Sequence, residues 1–166
     1  MNIILCGMMG VGKTTVGVQV ALLTNRRLVD TDEVITRRHG AISDIFKQHG
    51  EGYFRALETE TVKELSKEDG LIISVGGGLV LKEENTSLLK ENGKLIYLRA
   101  TTQTLIDHLK TDAGRPLLQG GEEELSTRII RLMEERSPVY ERVADCILDV
   151  DNKTAEEVAK EIVLLF

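Results

Sequence analysis

The chain has 166 residues, 42% of them hydrophobic, which suits one globular domain around one buried core and leaves too little for a second. The 21 Lys and Arg against 27 Asp and Glu give a net charge of −6, and Trp is absent. That balance argues against a nucleic-acid or membrane surface and for a small-molecule substrate.

In chain order, Asn2 to Cys6 is a short apolar run that reads as a buried parallel strand. It leads into Gly7-Met-Met-Gly-Val-Gly-Lys-Thr14, which fits the phosphate-loop pattern G-x-x-x-x-G-K-[ST] at every required position. Gly7, Gly10 and Gly12 let successive N–H groups turn inward around a phosphate chain, and a helix starting near Lys13 adds the positive end of its dipole. Val16, Val20 and Leu23 predict the apolar stripe of that helix. Lys13 is expected to reach the outer phosphates of a bound nucleotide, and Thr14 to hold a magnesium ion that bridges them. Met8 and Met9 occupy variable loop positions and are expected to pack.

Arg27 to Asp30 predicts a second strand that ends in Asp30-Thr31-Asp32. Strand alternation would put Asp30 and Asp32 on one side with Thr31 facing away, one carboxylate for hydrated magnesium and one for an incoming hydroxyl. Asp32 also suits an N-cap for the helix that follows, and both roles can coexist. Ala41 to His49 predicts a short helix with Ile42, Ile45 and Phe46 inward, closed by Gly50 and Gly52. In the next helix Phe54, Leu57, Thr61, Val62 and Leu65 share one face, while Arg55 and Glu58 stand three apart on another. That spacing alone equally describes a surface ion pair.

Leu71 to Val75 predicts a buried strand running into Gly76, Gly77 and Gly78. Three consecutive residues without Cβ point to close approach by a ligand or another backbone. Ser74 and Val75 supply no acid at the strand end, so metal support falls to Asp30 and Asp32. A helix from about Lys82 to Glu91, a strand from Lys94 to Leu98 and a helix capped by Thr102 and ending near Lys110 continue the alternation that builds a parallel sheet. Thr111 to Gly121 contains glycines and Pro116 and reads as a mobile lid carrying Arg115. Glu122 to Arg136 predicts an amphipathic helix ended by Ser137-Pro138, with Arg136 in its last turn, where the helix dipole alone would favour a cation. Asp145 to Val150 predicts a fifth strand, and Thr154 to Glu157 forms a capping box for a final helix. The loop Asp151 to Lys153 is placed near the nucleotide side. Cys6 and Cys146, both in predicted strands and outside any C-x-x-C pair, read as buried reduced thiols.

Taken together, Gly7 to Thr15, Asp30-Thr31-Asp32, Phe54-Arg55 with Glu58, Gly76-Gly77-Gly78, Arg115-Pro116-Leu117-Leu118 and Arg136-Ser137-Pro138-Val139-Tyr140 resemble the shikimate kinases in order and spacing. The resemblance covers nearly the whole chain. It implies an α/β fold of three layers, α/β/α, with a five-stranded parallel sheet: the phosphate-loop kinase fold of nucleoside-monophosphate kinases. One kinase domain would span 1–166, with a substrate-binding region at 32–60 and the lid at 111–121.

The implied activity is transfer of phosphate from ATP, with Mg2+, to a hydroxyl of shikimate. Gly10, Val11, Gly12, Lys13, Thr14, Thr15 and Arg115 would hold the nucleotide, and Thr14 and Asp30 the metal. Asp32 would meet the accepting hydroxyl, Arg55 and Arg136 the carboxylate, and Gly76, Gly77 and Gly78 would complete the substrate site. Lys13, Asp32 and Arg115 would be catalytic. His108 stands where many members carry an arginine near the adenine, with Lys110 close by. A cytoplasmic monomer with no nucleic-acid or membrane partner is expected. Two other readings remain: a related sugar-acid kinase such as one acting on gluconate, and a nucleotide-binding module without catalysis.

Overall fold

Each stretch that reads as continuously apolar in the sequence becomes a strand with neighbours on both sides, because only a fully covered strand can bury every side chain. The computed structural model describes residues 1–111 and 121–166, with side chains resumed from 123 onward. The expected lid, with Arg115, lies outside the described residues apart from its two ends. Five parallel strands pair in the order β2-β3-β1-β4-β5: β1 Asn2–Cys6, β2 Leu28–Asp30, β3 Ile72–Ser74, β4 Gly93–Arg99 and β5 Cys146–Asp149. In the middle of the sheet Ile4 lies between Ile73 and Leu95, and all three are fully buried.

The helices are α1 Lys13–Thr24, α2 Thr31–His39, α3 Ile42–His49, α4 Glu51–Leu65, α5 Glu83–Glu91, α6 Thr102–Thr111, α7 Gly121–Val143 and α8 Ala155–Leu164. Right-handed crossovers send α1 to one face, where it packs on α8, while α4, α5 and α7 cover the other. The order of strands reverses direction around β1, so the carboxyl ends of β1, β2 and β3 open onto one crevice. The predicted capping box closes the start of α8: Thr154 accepts from the Glu157 N–H, and Glu157 accepts from the Thr154 N–H. Cys6 and Cys146 are both free. Burial pushes the Cys6 thiol up to about 12 against the pull of Lys13, whereas Cys146 is only partly buried on the edge strand.

Several expectations need correction. On α1 the buried residues are Val16, Gly17 and Val20, so the inward face is centred roughly 65° away from Leu23, which is 48% exposed. Phe46 is likewise on the surface side of α3, although its ring leans on Phe54 at 5.0 Å. Thr101, not Thr102, caps α6, accepting from the Thr104 N–H. The largest difference is α7, which continues through Ser137-Pro138 to Val143. Pro138 offers no N–H to the carbonyl one turn before it, a loss that ordinarily ends or kinks a helix. Here Tyr140, two residues further, is fully buried with its ring 5.0 Å from that of Tyr97, and this tertiary anchor carries the helix past the proline.

Candidate active site

The phosphate loop links β1 to α1, and its last turn is set by Gly12, whose left-handed backbone (φ 98°) an L side chain rarely adopts. Because no side chain caps α1, its first amides face the crevice with the positive end of the helix dipole behind them. The Lys13 ammonium donates to the carbonyls of Gly7 at 2.7 Å and Met8 at 3.1 Å, which holds it at the mouth of the loop. Met8 itself is buried in the core. His108 on α6 lies against the loop from above, with Nδ1 2.7 Å from the Gly10 carbonyl, so that nitrogen carries the proton.

Asp30 and Asp32 both line the crevice while Thr31 is buried, as expected, but a helix start rather than strand alternation places them. Thr31 already begins α2, and Asp30 rather than Asp32 is its N-cap, with Oδ1 accepting from the Asp32 and Glu33 N–H groups. The competing turn geometry wins because one carboxylate satisfies two otherwise orphaned helix donors. The second Asp30 oxygen accepts from the Thr14 hydroxyl at 2.8 Å, which joins the two residues expected to support a metal. Thr31 is buried, and its hydroxyl accepts from the Gly76 N–H, which ties α2 to the loop after β3.

That loop gathers the substrate-side residues. A Cβ on Gly76 would lie 2.9 Å from Asp32 Oδ1, one on Gly77 2.9 Å from Arg136 Nη1, and one on Gly78 2.5 Å from Arg55 Nη1. Each glycine is thus the floor under one charged group, and any side chain there would displace it. Arg55 donates to Glu58 at 2.7 Å and reaches Glu51 at 3.4 Å. This is not the surface pair that the spacing allowed, since Glu58 is 1% exposed. Among the described residues Glu58 Oε2 has no hydrogen-bond partner, and it lies 3.2 Å from the Gly76 Cβ position. Burial raises the Glu58 carboxyl above its ordinary value despite the opposing pull of Arg55, and nearby Asp32 adds to the rise. Burial of the Arg55 guanidinium works against its charge, but Glu58 and Glu51 outweigh that and the net shift is upward.

These groups surround a cleft of about 790 Å³. Its wall contains Gly10, Val11, Gly12, Lys13, Thr14 and Thr15 from the phosphate loop, Asp30 and Asp32 from the end of β2, Gly76 and Gly77, and Arg136, with His108 and Lys153 near the nucleotide end. Arg55 and Gly78 meet each other next to Gly77 but are not part of that wall, and Arg115 lies outside the described residues. Tyr140 is a site residue to which the sequence reading gave no role. Its position four after Arg136 puts it on the same helical face, which was the available signal.

A parallel sheet of this order defines a phosphate-loop small-molecule kinase when it carries an anion-binding loop after β1, a threonine–aspartate pair beside that loop and a cationic clamp across from it. Residues 9–165 match the shikimate kinase family. The chain is 42% identical over 163 residues to the shikimate kinase of Caldanaerobacter subterraneus subsp. tengcongensis, covering 98% of this chain and 94% of that one. Two solved structures resemble it over 99% of its length: the Acinetobacter baumannii shikimate kinase in complex with shikimate, 35% identical with a TM-score of 0.90, and the Bacteroides thetaiotaomicron enzyme, 31% identical with a TM-score of 0.92. They are covered to 91% and 97% respectively. The chain belongs to the shikimate kinase family.

Proposed function

We propose that this chain transfers the terminal phosphoryl group of ATP to a hydroxyl of shikimate, giving shikimate 3-phosphate and ADP on the route through chorismate to the aromatic amino acids. Beyond family membership, one observation carries the reading: Asp32, Arg136 and Arg55 converge on three successive glycines beside the phosphate loop. A small polyol with one carboxylate needs that set, a planar cationic clamp for the acid and a carboxylate for a hydroxyl.

In this reading Arg55 and Arg136 grip the substrate carboxylate, the Gly77 N–H adds a neutral donor, and Asp32 orients the accepting hydroxyl. Phosphoryl transfer passes through a loose transition state, so positioning and charge neutralisation dominate, and Asp32 accepts the hydroxyl proton late. Lys13 moves from the Gly7 and Met8 carbonyls to the phosphates as they arrive. The residues present fit a magnesium ion. Thr14 and Asp30 offer hard oxygen donors 2.8 Å apart, and no group of three or more His, Cys, Asp or Glu among the described residues is arranged to hold a metal unaided. Magnesium keeps most of its ligands as water and phosphate oxygen, and when bound it neutralises charge on the phosphates. Arg115 takes its charge-neutralising role from the family resemblance alone. Within the single domain proposed for 1–166, residues 32–60 supply the substrate arm, and the protein works as a cytoplasmic monomer.

A coupled assay for ADP, with ATP, magnesium and either shikimate or gluconate, tests the assignment. Turnover is expected with shikimate only. Turnover of gluconate alone would overturn it, and ATP binding without turnover of either acid would favour the non-catalytic module.

A further inference from the structure

The Tyr140 hydroxyl donates to the Gly77 carbonyl at 2.5 Å, and it lies 3.9 Å from the sulfur of Met8 in the phosphate loop. The ring is fully buried, so it has no freedom to swing away. No peptide bond among the described residues is cis, and in a trans peptide the N–H points opposite to the carbonyl. Holding the Gly77 carbonyl toward the Tyr140 hydroxyl therefore turns the Gly78 N–H the opposite way. Among the described residues neither the Gly77 nor the Gly78 N–H donates to a protein acceptor, whereas the Gly76 N–H is occupied by Thr31. Arg136 lies one turn before Tyr140 on α7, with Nη1 2.9 Å from the Cβ position of Gly77.

We propose that Tyr140 is a positioning residue for substrate binding. Its hydroxyl pins the peptide between Gly77 and Gly78, which fixes the Gly78 N–H directly and the Gly77 N–H through the adjoining Gly77 Cα, so that these amides and the Arg136 guanidinium are presented from one rigid unit. This contact adds to the packing of the Tyr140 ring on Tyr97, which holds α7 in place beyond Pro138. Burial raises the phenol well above its ordinary range, so the hydroxyl remains a donor at any working pH. The proposal rests on the shikimate reading for its substrate, and it extends that reading to a residue without substrate contact.

The test compares Tyr140→Phe, which keeps the ring and removes the hydroxyl, with Tyr97→Phe, which removes a neighbouring buried hydroxyl that has no bond to the glycine loop. Tyr140→Phe should raise KM for shikimate about fivefold while kcat and KM for ATP stay within about twofold. Calorimetric binding of shikimate without nucleotide should weaken by the same factor. Tyr97→Phe should leave KM for shikimate unchanged. A change below about twofold in Tyr140→Phe, an equal rise in KM for ATP, or the same loss in Tyr97→Phe would each overturn the proposal. Were the wild-type protein to turn over a different acid, the shikimate assignment would fail. The ratio of Tyr140→Phe to wild type measured with that acid would still decide the role of the hydroxyl.

Discussion

The two ends of the cleft are built on different principles. The end proposed for the nucleotide is one contiguous stretch, Gly7 to Thr15, in which backbone amides and a helix terminus form the site and side chains from elsewhere only brace it. The end proposed for the acceptor draws Asp32 from α2, Arg55 and Glu58 from α4, Gly76 to Gly78 from the loop after β3, and Arg136 and Tyr140 from α7. A local site survives small shifts in helix packing, because its geometry is written into consecutive dihedral angles. A site assembled from four elements holds its shape only while those elements stay stacked, so much of its machinery consists of residues that position others.

Substitutions can separate the two ends. The largest effect is expected for Asp32→Asn, with turnover reduced on the order of 10²–10⁴-fold as the carboxylate proposed to take the proton is lost. Its melting temperature should stay close to wild type, because Asp30, not Asp32, caps α2. Near-normal turnover would remove Asp32 from the reaction. Next, Arg136→Ala should raise KM for shikimate roughly ten- to a hundredfold by loss of one charge-assisted contact, with KM for ATP nearly unchanged. If steady-state kinetics showed both constants rising together, the two ends would not be independent and the contrast drawn above would break.

The smallest effect concerns Glu58. Its folded-state carboxyl holds a proton to higher pH than in the unfolded chain, so its contribution favours folding at low pH and fades as pH rises from the ordinary value of 4.5 through the raised one. Glu58→Gln should flatten that part of a plot of melting temperature against pH. At neutral pH the difference should be on the order of 2–4 °C, with a modest rise in KM for shikimate as Arg55 loses its brace. Parallel curves for the variant and wild type would show that Glu58 does not titrate in this window.

This contrast also governs what was readable in the amino-acid order. The phosphate loop, the apolar strands Asn2 to Cys6 and Leu71 to Val75, and the capping box at Thr154 depend on residues close in sequence, and they stand where expected within a residue or two. Features decided by distant partners were harder to read. Spacing alone could not separate a solvent-exposed Arg55–Glu58 pair from one sealed under the glycine loop, because that depends on the burial supplied by other elements. Pro138 signals a helix end, and only the remote contacts of Tyr140 override it. At Asp30-Thr31-Asp32 two local patterns competed, strand alternation and helix capping, and the tighter hydrogen bonding of the cap prevailed.

The unequal treatment of the two thiols has a practical consequence. Cys6 is sealed in the core with its ionisation suppressed, while Cys146 opens the strand at the sheet edge, separated by β4 from the strand that leads into the phosphate loop. A maleimide dye added to the native enzyme would therefore attach at a single point, without any cysteine having to be engineered away. The attached fluorophore would report on motions of the enzyme during turnover while standing clear of the reacting groups.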